Sequence, residues 1–175
     1  IDETKLNELK KSGTNNPKAY ELVQRAKSLM DGNSKVSTIK AIELYKQAID
    51  LDPDYADAHA LLGVAHSDST GVSIAYPKVA FSKAKKAYEK CLQLNPNNLI
   101  ALAGLGRLAT LYDWDLKKAK HLLDKAEKIN PNNTVLIKNF CIYYHSTGDT
   151  KNQAAMALRG IEKDPKLADF HQQYS

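Results

Sequence analysis

The side chains best suited to bind a metal or move a proton in this 175-residue sequence are its five histidines and two cysteines. His59 and His66 stand seven residues apart in "YADAHALLGVAH", so on a helix they share roughly one face. A helical zinc site needs histidines four apart, with a carboxylate or third ligand beside them. Asp57 and Asp68 are near in sequence but do not complete such a set. The two imidazoles therefore read as polar aromatic residues on a half-buried helix, and no metal or other cofactor is expected. Cys91 is a candidate nucleophile, but neither it nor Cys141 belongs to a CxxC pair, and two cysteines make no disulfide framework. No Gly-rich phosphate loop, GxSxG or HExxH occurs. Gly104 and Gly106 in "LAGLG" imitate a GxG, yet they fall within a helical stretch and follow no strand; close helix packing accounts for them. The expectation is binding rather than catalysis.

Charge offers a second kind of chemistry. "YPKVAFSKAKKAYEK" and "LKKAKHLLDKAEK" carry five lysines each, but Glu and Asp are mixed in, and the net charge is only +5 from 25 basic and 20 acidic residues. That reads as solvated helix faces rather than a dedicated nucleic-acid surface. Apolar residues make up 43%, near the globular norm, and no run approaches the length of a membrane helix. The first residue is Ile1, which suggests a processed chain or a fragment.

The elements that must hold these side chains are announced by punctuation. Five of the six prolines fall at 17, 53, 96, 131 and 165, at intervals of 36, 43, 35 and 34, and the last four of these follow "IDLD", "LQLN", "EKIN" and "IEKD". Proline suits a helix start or the turn before one, and a preceding Asn or Asp tolerates the turn, so each pair should end one helix and begin the next. Between the prolines two helical patterns fit. Ala58, Leu61, Leu62 and Ala65 recur at helical spacing, as do Ile39, Ile42, Tyr45 and Ile49. "DGNSKVS" and "STGD" read as turns within the pairs, and Thr150 with Gln153 as a capping box opening the last long helix. No strand is evident. Trp114 sits at the turn of the third pair and is expected to pack there, with Asp113 or Asp115 as N-cap.

A period near 34, two helices per period and a closing proline resemble the tetratricopeptide repeat. Ala41 with Tyr45, Ala84 with Tyr88 and Ala119 with Leu123 match that family's small-then-large pair on the second helix. Leu62-Gly63 and Leu105-Gly106 match its Leu-Gly pair on the first, and Ala48, Cys91, Ala126 and Gly160 its small position five residues before the proline. Cys91 and Cys141 are then inert packing residues. The pattern weakens at Lys27 in the first repeat and at Gln153 and Ala157 in the fourth. The resemblance implies an all-α, right-handed superhelix of about four repeats, at 17–52, 53–95, 96–130 and 131–164. A lead-in helix at 1–16 precedes them and a partial capping helix at 165–175 follows. The second repeat carries about nine extra residues in "SDSTGVSIAYPKVA". First helices of such a superhelix line a concave groove, and lysine-rich second helices face the convex side. Counting the family's groove positions from each proline gives Gln24, Ala60, Val64, Ala103, Arg107, Lys138 and Ile142 as the partner-binding set. Gln24, Ser28 and Leu61 stand where the chaperone-binding branch keeps its carboxylate clamp, so a chaperone tail is disfavoured. An apolar helix or extended peptide with one acidic contact fits better, and a second copy of the chain is the other occupant considered.

The stretches "AIELYKQAIDLDPDYADAHALLG" and "YDWDLKKAKHLLDKAEKINP" also resemble the repeat region attached to bacterial membrane-anchored winged-helix transcription regulators and class III adenylate cyclases. That likeness implies a sensory or docking module of a larger bacterial signalling protein, periplasmic or cytoplasmic. Its partner would be a protein or peptide, with no nucleic acid bound by this domain. A small-ligand sensor or a homo-oligomerisation domain is the alternative.

Overall fold

The computed structural model describes residues 13–32, 34–72 and 74–164. Among them are eight helices and no strand: α1 (Pro17–Met30), α2 (Lys35–Leu51), α3 (Ala56–Asp68), α4 (Pro77–Leu94), α5 (Leu99–Leu111), α6 (Leu116–Ile129), α7 (Thr134–Thr147) and α8 (Thr150–Lys163). The fold is all-α, assembled from helical hairpins. The expected lead-in helix falls almost wholly, and the capping helix wholly, outside the described residues. The described residues form two compact units, divided between Ala101 and Leu102.

The Asn/Asp-Pro punctuation works through its side chains. Asp52, Asn95, Asn130 and Asp164 are the C-caps of α2, α4, α6 and α8. The side chains of Asp52, Asn95 and Asn130 each accept the backbone N–H two residues on, which bends the chain around the proline. The last Asn of each Asn-Pro-Asn-Asn then caps the next helix: Ala101 N–H donates to Asn98 and Leu136 N–H to Asn133, both at 3.0 Å. One tetrapeptide thus closes a helix and opens another.

In the first unit the core is a run of small residues with a few large ones. Ala19, Val23, Ala26, Ala41, Ala48, Ala58 and Ala65 are fully buried, and Tyr45 and Tyr55 fill the spaces between them. On α2 the buried face is Thr38, Ala41, Tyr45 and Ala48. Of the expected stripe Ile39, Ile42, Tyr45 and Ile49, Tyr45 lies on this face, but Ile39 is exposed and the other two isoleucines are half-buried. Small residues win the inner face because only they allow two helix backbones to approach closely. In α1 the buried small residue is Ala26 rather than position 27, because Pro17 is already the first helical residue and counting from it runs one position late. Gly63 is a close-approach position, since a Cβ there would lie 2.5 Å from the Tyr88 ring.

The second unit repeats the device. A Cβ on Gly106 would lie 2.8 Å from Leu123, and Ala119, Leu123 and Ala126 form the buried stripe of α6. Asp149, not Thr150, caps α8, its side chain accepting from Asn152 N–H at 3.1 Å in place of the expected Thr150–Gln153 box. Arg159 on α8 donates to Glu127 at 2.8 Å and to the Pro131 carbonyl, tying α8 to the end of α6. Gly160 is the one α8 residue recorded as buried, in keeping with the weak match at Gln153 and Ala157, which are half-buried.

Candidate functional site

The expected partner-binding residues divide between the units. Gln24, Ala60 and Val64 lie on the first helices α1 and α3 of the first unit; Ala103, Arg107, Lys138 and Ile142 lie on α5 and α7 of the second. They are not equally available. Ala60 and Ala103 are completely buried and Ile142 is 5% exposed, so these three serve packing. Gln24, Val64, Arg107 and Lys138 are half-buried, with surface left for a ligand.

On α3, Asp57 is held by Asn98, whose side-chain amide donates to it at 2.7 Å. Burial raises the Asp57 pKa, against the Asn98 hydrogen bond and the attraction of Lys27, which lower it. Lys27, a departure from the repeat pattern, therefore contributes positive charge beside α3. In the second unit, Asn139 on α7 is buried and donates to the Ala103 carbonyl of α5 at 3.0 Å. This bond fixes the two first helices side by side, and Lys138 adjoins it in sequence. Arg107 follows Ala103 by one helical turn, so both cations belong to the same pair of helices.

Counting did not reveal an aromatic group on α7. Phe140 and Tyr144 stack with centroids 5.9 Å apart, and Tyr143 meets Tyr144 edge-on at 5.3 Å. Lys120 of α6 lies 5.9 Å from the Phe140 centroid while pairing with Asp124 at 2.6 Å. The i,i+4 spacing of Phe140 and Tyr144 was the available signal.

Of the groups first considered for chemistry, His59, His66, Cys91 and Cys141 are packed away, whereas His121 and His145 are exposed. His59 donates from Nε2 to the Pro53 carbonyl at 2.9 Å, and both it and His66 are 8% exposed. The His66 pKa is lowered to about 4, first by burial and then by the ammoniums of Lys83 and Lys46. Among the described residues no three His, Cys, Asp or Glu side chains converge as metal ligands. Cys91 and Cys141 are fully buried, and burial pushes their thiols up to about 12 and about 11, away from the reactive thiolate. Trp114 departs from expectation. Asp115 caps α6, but Trp114 itself has a positive φ of 54° and is 70% exposed, so it does not pack at the turn. No helix among the described residues is long and apolar enough to cross a membrane.

Comparison with known proteins bears on the repeats. Residues 40–68 match a family model described as "TPR repeat" and residues 81–98 one described as "Tetratricopeptide repeat". No curated protein matches the chain. Among solved structures, the crystal structure of a thermophilic TPR protein from Thermus thermophilus superimposes with a TM-score of 0.73. The match covers 97% of this chain and 84% of that one at 18% identity, a likeness of fold. Residues 40–68 and 81–98 are thus similar to tetratricopeptide repeats, and the chain shares the fold of a tetratricopeptide-repeat protein.

Proposed function

We propose that this chain is a non-enzymatic protein-binding module that takes a peptide or helix on the exposed parts of its first helices, with Arg107 and Lys138 meeting an acidic group. The observation that supports it most is the Asn139–Ala103 hydrogen bond, which holds α5 and α7 side by side with a half-buried cation on each. Arg107 offers a planar fork to a carboxylate and Lys138 a mobile point charge. The likeness of "AIELYKQAIDLDPDYADAHALLG" and "YDWDLKKAKHLLDKAEKINP" to the repeats of bacterial regulators supports a finer reading, the docking part of a larger signalling protein. The test is a pull-down followed by affinity measurement with each partner recovered. Arg107→Glu and Val64→Glu should each weaken binding with little change in melting temperature. Unchanged binding in both variants would remove the first helices from the interface.

A further inference from the structure

A furrow in the first unit runs between α2 and α4, with α3 beneath it. It opens into two adjoining hollows of about 430 and 240 Å³ that share Lys46, His66 and Lys83. Its apolar surface comes from Ile42 and Ile49 of α2 and Leu62 of α3. Ile42 and Ile49 are half-buried, packing against the core on one side and lining the furrow on the other. One wall carries exposed Lys46; the other carries exposed Lys83, Lys86 and Lys90, at i, i+3 and i+7 along one face of α4. Glu43 and Asp50 also line it, so cations outnumber carboxylates by four to two.

We propose that this furrow is a second docking surface, distinct from the first-helix face, and that its occupant is a short acidic amphipathic helix from a partner protein. Length is the first argument. The α2 wall runs from Ile39 to Asp50, roughly 16 Å at helical rise, which matches about three turns of a partner helix. Spacing is the second. Lysines one turn apart on α4 face carboxylates one turn apart on a helix laid alongside, while its apolar stripe meets Ile42, Ile49 and Leu62. Charge is the third. The depressed His66 pKa reports, beyond burial, the repulsion of Lys83 and Lys46 at the furrow floor, a field that favours an anionic guest. A single-headed amphiphile would engage only one or two of the four ammoniums.

The probe is a synthetic helical peptide of about 14 residues, with leucines at helical spacing and glutamates flanking them. A version with lysine for glutamate and a scrambled version serve as controls. Binding to the full chain is followed by fluorescence polarisation in about 150 mM salt. The glutamate peptide should bind at least about tenfold more tightly than either control, and Lys83→Glu with Lys86→Glu should abolish that advantage. Lys46→Gln should weaken it by a smaller factor. Arg107→Glu should leave it unchanged, which separates this surface from the one under Proposed function. Equal affinity for the two charge versions would overturn the proposal, as would no binding or insensitivity to the lysine variants. Capture by phosphatidylglycerol vesicles without peptide binding would assign the furrow to a lipid surface instead.

Discussion

The hairpin built around Gly63 in the first unit and the one around Gly106 in the second follow one plan with different fillings. Each brings a glycine of its first helix against a large side chain of its second, Tyr88 in one case and Leu123 in the other. Both large residues are at most 2% exposed. A Tyr ring is broad and rigid, whereas Leu has a branched end that turns over within its rotamers. Three residues beyond each glycine the hairpins diverge again: His66 is buried in the first and Ala109 in the second. The repeat therefore constrains backbone approach more tightly than the chemistry of what fills the gap, and the first unit has admitted a titratable group where the second has a methyl.

The largest expected effect comes from emptying the two gaps. Tyr88→Ala and Leu123→Ala should each cost about 3–5 kcal/mol by denaturant unfolding, with the ring deletion the more severe. Equal losses would mean the two fillings are energetically interchangeable.

His66 should separate the units by pH. Its pKa is about 4 when folded against 6.5 when free, so below pH 6.5 the unfolded chain binds the extra proton. This contribution is complete above pH 6.5 and is lost as pH falls towards 4, amounting to roughly 3 kcal/mol. His66→Leu should flatten that part of the stability profile. In proton NMR the His66 midpoint should rise in Lys83→Gln, because a repelling ammonium is removed.

Gly63→Ala and Gly106→Ala test the glycines themselves. The first forces a methyl into a ring at 2.5 Å and should cost about 2 kcal/mol even after the helix-propensity gain. The second meets a Leu terminus at 2.8 Å and should cost about 1 kcal/mol or less. The reverse order would show that Tyr88 yields more readily than Leu123.

The two matching caps should differ as well. Asn133→Ala should cost about 1 kcal/mol, the worth of an N-cap. Asn98→Ala should cost more, because it also strips the partner from Asp57. Smallest of all, Trp114→Gly should stabilise the chain by up to about 1 kcal/mol through relief of its positive φ. The native Trp114 should be readily quenched by acrylamide.

The hairpin plan was legible because its signals are local. Asn95 and Asn130 act on groups two residues away, and Gly63 and Gly106 on the neighbouring helix at a fixed spacing. What escaped depends on which neighbour covers a given face. Ile39, Ile42 and Ile49 keep perfect helical spacing, yet the core takes Thr38, Ala41, Tyr45 and Ala48, since small side chains permit closer approach. For the same reason counting placed Ala60, Ala103 and Ile142 on a binding surface although packing buries them. A left-handed backbone at a tryptophan has no sequence signature, so the exposure of Trp114 was out of reach.

The side-chain caps of the turn from Asn130 to Asn133 are local, although Arg159 also reaches its Pro131 carbonyl. Asn130 serves the N–H of Asn132, Asn133 serves that of Leu136, and neither task calls on a distant residue. A joint of this kind can be copied along with the hairpin it closes and spliced beside another without inventing new contacts. Gene duplication then needs to refine only the faces between hairpins, and an array can lengthen or shorten by whole units at its Asn-Pro seams.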